Sequence, residues 1–134
     1  MARMIFVNLP VTDLPRSRGF YQALGFAINE QFSDDTAACV MISDTIGAML
    51  LTHPRYAQFT PLPITDERKS SSHLLALSCE DRAGVDAFAA AALAQGGSEP
   101  RPPQDLGFMY SRAIADPDGH TWEPFFMDMS AVPS

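Results

Sequence analysis

The sequence predicts an α+β fold made of two tandem βαβββ modules. Two observations carry that prediction. Each half of the 134-residue chain reads in the same order, a strand, an amphipathic helix and then three strands, with glycine closing the helix both times (Gly25, then Gly96-Gly97). The stretch from Asp116 to Phe126 also joins a tight turn to an alternating strand. In that turn proline fixes φ, aspartate bonds to its own backbone and glycine accepts positive φ. Beyond it, period-2 alternation sets Thr121, Glu123 and Phe125 on one face and Trp122, Pro124 and Phe126 on the other.

In the first half, Met4 to Val11 alternates as a strand, with Ile5, Val7, Leu9 and Val11 on one face and Phe6 and Asn8 on the other. Pro10 marks its end or a sheet edge. Asp13 is a suitable N-cap, and Pro15 sits in the first helical turn, where its missing N–H costs nothing. Leu14, Phe20, Tyr21 and Leu24 follow at helical spacing. Three strands complete the half: Phe26 to Phe32, Ala37 to Ile42 and Gly47 to Thr52. Residues 54–72, with Pro54, Pro61 and Pro63 and a polar run from Asp66 to Ser72, read as a linker long enough to lie over the domain.

In the second half, His73 to Cys79 is a strand, and Asp81 or Glu80 caps a helix whose apolar stripe is Val85, Phe88, Ala89, Ala92 and Leu93. A short strand near Glu99, a proline-rich loop (Pro100, Pro102, Pro103), a strand from Phe108 to Ala115 and a last strand from Thr121 to Met127 follow. The expected organisation is thus one domain over 1–134, built of module 1–53, linker 54–72 and module 73–128.

Composition narrows the function. A net charge of −7 supplies no basic surface for nucleic acid or anionic lipid, and no apolar run reaches the roughly 20 residues that span a bilayer. Met1-Ala2-Arg3-Met4 enters the strand pattern with no secretory apolar core, so the expected location is the cytoplasm. Cys39 and Cys79, each in an apolar strand-like run, are expected as reduced core fillers. The informative residue is Glu123: an acid within an aromatic strand is costly to bury unless something pairs with it.

The chain resembles the vicinal oxygen chelate superfamily of glyoxalase I, bleomycin-resistance proteins and extradiol dioxygenases. The resemblance rests on Val11-Thr12-Asp13-Leu14 with Ser17 and Phe20-Tyr21, on Leu24-Gly25-Phe26, and on Asp116-Pro117-Asp118-Gly119 ahead of Glu123. It implies a cupped, mostly antiparallel sheet with helices on its outer face, a small-molecule site between the cups and a homodimer. It also implies a divalent metal (Zn, Ni, Mn or Fe) held by first- and last-strand residues of each module. Carried over, the ligand positions fall on His73 and Glu123 in the second module. In the first they fall on Phe6 and on Leu50, or Met49 in the alternative register, neither of which binds a metal.

Three functions follow from the resemblance. The first is a small-molecule binder of the bleomycin-resistance type, metal-free, lined by Phe6, Asn8, Leu50, Tyr110, Arg112 and Phe125. The second is a metal-dependent lyase of the lactoylglutathione-lyase kind or a dioxygenase, working through His73 and Glu123. The third is a metal-independent enzyme using the same pair as general acid and base. A plain His73–Glu123 hydrogen bond is the structural alternative to all catalytic roles of that pair, and His120, just after the turn glycine, is expected at the surface.

Overall fold

In the computed structural model, which describes residues 2–131, the chain forms two compact units, Met1–Asp66 and Glu67–Ser134. The division falls inside the stretch expected as a linker.

The first unit contains β1 (Ile5–Val11), α1 (Leu14–Ala23), β2 (Ala27–Asn29), β3 (Ala37–Met41), β4 (Ile46–Thr52) and a single helical turn, α2 (His53–Tyr56). Its sheet runs β1-β4-β3-β2, with β1 parallel to β4 and the other pairs antiparallel. As an edge strand β1 tolerates Pro10. Asp13 caps α1, its Oδ1 accepting the Arg16 N–H at 3.1 Å, with Pro15 in the first turn. The helix packs on β3 and β4 and buries Leu14, Ser17, Phe20 and Tyr21 against them. The strand expected over Phe26–Phe32 is shorter. Asn29 accepts the Gln31 N–H through its side chain, and a 3₁₀ turn takes over from Glu30 to Phe32.

The second unit repeats this order with β5 (Leu75–Ser78), α3 (Arg82–Ala94), β6 (Ser98–Asp105), β7 (Met109–Ala115) and β8 (Thr121–Met127). The sheet runs β5-β8-β7-β6, β5 lying parallel to β8. Two βαβββ modules of an α+β fold are therefore present. Asp81 is the helix cap, its Oδ1 accepting the Gly84 N–H at 2.7 Å. Val85, Phe88, Ala89 and Ala92 of α3 are buried, α3 packs on β7 and β8, and Ile114, Trp122 and Pro124 supply buried side chains on those strands. Leu93, expected in the apolar stripe, is exposed at the stripe's edge.

The largest departure from expectation is β6. Beyond the short strand expected near Glu99, Pro100-Arg101-Pro102-Pro103 reads as a loop because proline cannot donate to a ladder. It nevertheless runs as an edge strand, where one side needs no donors, and two register shifts interrupt its pairing with β7, between Ser98 and Arg101 and between Arg101 and Gln104. Each shift inserts one extra residue opposite β7. Ser98, Arg101 and Gln104, three apart, therefore stand beside Ala115, Ala113 and Ser111, two apart. Strict alternation would send Arg101 to the face opposite Ser98. The bulges bring it back.

Candidate functional site

The faces of the second sheet are fixed by pairing. Ala76 lies beside Glu123 and Ser78 beside Phe125, while Ser111 pairs with Phe125 across β7. Glu123, Phe125, Ser111, Ala113 and the bulge-delivered Arg101 and Gln104 consequently share the face away from α3. On it Arg101 Nη2 donates to Glu123 Oε2 at 3.1 Å and to Ser111 Oγ at 3.4 Å, and Arg101 Nη1 donates to the Pro102 carbonyl at 3.3 Å. Both side chains of the pair are partly exposed (34% for Arg101, 23% for Glu123), so the pair stays open to a ligand.

Two hollows share this ion pair. One, of about 350 Å³, is lined by Ala76, Gln104, Met109, Ser111 and Phe125; the other, of about 410 Å³, is lined by Glu67, Arg68, Lys69, Leu74 and Thr121 among others. An apolar wall beside a small set of convergent polar groups is the usual make-up of a small-molecule site.

His73 lies just before β5 and takes other partners. Its Nδ1 is 2.8 Å from Ser72 Oγ and 3.7 Å from Glu67 Oε1, and its ring stacks on His120 with centroids 5.7 Å apart. Glu123 bonds Arg101 instead, so the two residues take different partners. His120, expected at the surface, is only 1% exposed. The turn folds back over it: Asp116 Oδ1 accepts the N–H groups of both Asp118 and His120 at 2.9 Å, and Gly119 adopts φ +90°.

Tyr110 and Arg112, expected as ligand groups, stand on the other face, toward α3. Arg112 Nε and Nη2 bind Glu99 at 2.9 and 3.0 Å, while Arg112 Nη1 and the Tyr110 hydroxyl meet Asp86 Oδ1 at 3.0 and 2.6 Å. The alternation of β7 settles this, because Ser111 between them takes the open face. The bond from Arg112 holds the Glu99 carboxyl below its ordinary 4.5, and bonds from Tyr110 and then Arg112 hold Asp86 below 3.8. A carboxyl lowered in the folded state adds stability above its unfolded pKa and loses it as pH falls through the folded value. The wild type should therefore lose melting temperature as pH drops below about 4, and more steeply than Arg112→Gln, in which Glu99 loses the main cause of its shift and Asp86 keeps only the bond from Tyr110. A pH series of thermal melts checks this, and parallel slopes would contradict it.

In the first unit, register separates the expected residues. Phe6 pairs with Gly47 and Asn8 with Met49 on the exposed side of β1. A Cβ on Gly47 would fall 2.5 Å from the Phe6 ring, so the ring lies flat over a position left bare. Leu50 pairs with Leu9, and both are fully buried on the helix-covered face. Met49, not Leu50, thus shares the face of Phe6 and Asn8. Cys39 and Cys79 are free thiols, and burial raises the pKa of each.

A divalent ion of the family type does not fit at Glu123. The carboxylate is already paired with a guanidinium, a positive charge that competes with a metal.

The bleomycin resistance protein-like N-terminal family matches residues 3–43. No curated protein matches the chain. Among solved structures, a hypothetical protein, SA1046, from S. aureus is similar, with TM-score 0.79, 23% identity and 94% of each chain covered. A glyoxalase-related enzyme from Fulvimarina pelagi gives TM-score 0.78 at 22% identity over 94% of this chain and 88% of its own. The bleomycin resistance determinant encoded on transposon Tn5 gives 0.66 at 20% identity over 96% and 100%. Likeness at this level of identity concerns the fold.

Proposed function

We propose that this chain, whose fold is that of the glyoxalase, bleomycin resistance and dioxygenase proteins and is consistent with the vicinal oxygen chelate superfamily, binds a small molecule on the open face of its second sheet. The observation that carries the reading is the partly exposed Arg101–Glu123 pair between two hollows. Arg101 neutralises Glu123 and keeps further N–H groups for an anionic or oxygen-rich ligand, for which a planar guanidinium is well suited. Phe125 and Met109 offer a flat apolar surface for an aromatic body, and Gln104 and Ser111 add neutral donors and acceptors. The site is metal-free at Glu123 and the chain works as a binder, in the manner the name of the Tn5 determinant suggests for that protein. The two enzyme readings need His73 and Glu123 to act on one ligand, and their separate partners weigh against them. The exposed Ile5 and Phe6 on the edge strand β1 support a homodimer.

A thermal-shift panel of aromatic carboxylates, catechols, hemithioacetals and bleomycin tests the binding, followed by calorimetry on the compounds that raise the melting temperature. Arg101→Met should weaken binding of an anionic compound by at least about tenfold, the worth of one charge-assisted hydrogen bond. Equal affinity in wild type and Arg101→Met, or a panel without a single binder, would sink the reading. Turnover of hemithioacetals or catechols would convert the binder into an enzyme.

A further inference from the structure

Among the described residues, Glu67, His73 and His120 each bring one donor atom to a common place, all within 4.8 Å of one another. We propose that they form a binding site for a divalent transition metal of the zinc class, separate from Glu123, which clips the Glu67–His73 segment onto the Asp116–His120 turn.

The backbone brings them together. A Cβ on Gly119 would stand 2.8 Å from the Glu67 carbonyl carbon and the Arg68 nitrogen, so the segment crosses the turn at a distance only glycine permits. This crossing sets Glu67 beside His120, and the stacked rings bring His73 alongside. All three lie in the second unit.

The buried Glu67 carboxylate is the group that a cation would offset. The Glu67 side chain is 4% exposed, and its hydrogen bonds run to Ser72, from the N–H at 3.1 Å and from the hydroxyl at 2.8 Å. The Ser72 hydroxyl donates to Glu67 and so accepts from His73 Nδ1; in the neutral ring the lone pair then sits on Nε2. That atom is buried and has no hydrogen-bond partner. A buried acceptor without a donor is unfavourable, and a metal ion supplies what it lacks. The bond from Nδ1 to the Ser72 hydroxyl is the kind of outer support that orients a metal-bound imidazole.

Two imidazoles and a carboxylate suit zinc or a neighbouring first-row ion better than magnesium or calcium, which prefer all-oxygen shells. Tetrahedral donors at zinc distances stand about 3.4 Å apart, so the cluster needs to draw in by about 1 Å. Three protein ligands leave a fourth position for water.

The test is a zinc titration of chelator-stripped full-length protein against a chromophoric competitor, read alongside thermal melts. Wild type should take up one zinc per chain with a rise in melting temperature. His73→Gln, at the most exposed of the three, and Glu67→Gln, which keeps size and shape, should each weaken uptake at least tenfold. His53→Gln, the remaining histidine, and Glu123→Gln should leave it unchanged. No stoichiometric uptake by wild type overturns the proposal. So does uptake that survives both His73→Gln and Glu67→Gln, or that follows His53 or Glu123 instead. Because Glu123→Gln is read here only for zinc, failure of this site and failure of the small-molecule site remain separate results.

Discussion

Gly119→Ala should destabilise the protein by about 3 kcal/mol, near 10 °C in melting temperature for a chain of this size. Two independent penalties act. Gly119 holds φ +90°, where an L-residue pays about 1–2 kcal/mol. The new methyl would also meet the Glu67 and Arg68 backbone at 2.8 Å, and forcing backbone apart costs about 1–3 kcal/mol more. Gly47 shows why the contact distance alone does not decide. Its added Cβ would come nearer still, 2.5 Å, but to the ring of a half-exposed Phe6, which can turn aside. Thermal and urea unfolding of Gly119→Ala measure the effect. A loss under about 1 kcal/mol would mean that the segment over the turn moves freely, which would also remove the geometric ground for the Glu67–His73–His120 site.

Much of the fold was legible in the chain. Asp13, Pro15 and Gly25 bracket α1, Asp81 caps α3, and the Asp-Pro-Asp-Gly turn opens β8, because caps and turns are local chemistry that a few residues settle. The site was less legible, for two physical reasons. Face assignment depends on register, and one residue of slip exchanges faces: this puts Met49 rather than Leu50 beside Asn8 and turns Tyr110 and Arg112 toward α3. Arg101 was hidden more deeply. Three prolines around it argue for a loop, and only the paired bulges of an edge strand return it to the open face. The one signal available is that Glu123 needs a partner, a need that either His73 or an arginine such as Arg101 can meet. His120 defies the expectation that a residue after a turn glycine is solvated, because the segment that crosses the turn comes from about fifty residues upstream.

Asp116→Ala should be as damaging as Gly119→Ala, at about 3 kcal/mol, but through hydrogen bonds rather than sterics. Asp116 is 4% exposed, and its Oδ1 receives two backbone N–H groups, those of Asp118 and His120. Truncation strands both donors where water has little access, and each stranded buried group costs about 1–3 kcal/mol. Asp116→Asn keeps an acceptor oxygen in place and should recover most of the loss, which distinguishes the hydrogen bonds from the volume removed. The pairing of β8 with β5 and β7 continues to hold Glu123 after the turn is weakened. Ligand affinity of the folded fraction should therefore change by less than about threefold in Asp116→Ala, well short of the tenfold expected for Arg101→Met. The Asp-Pro-Asp-Gly motif would then be a fold-holding device two residues ahead of the strand that carries the chemistry. An Asp116→Ala variant that melts like wild type yet fails to bind would reverse that assignment and place the turn carboxylate in the site itself.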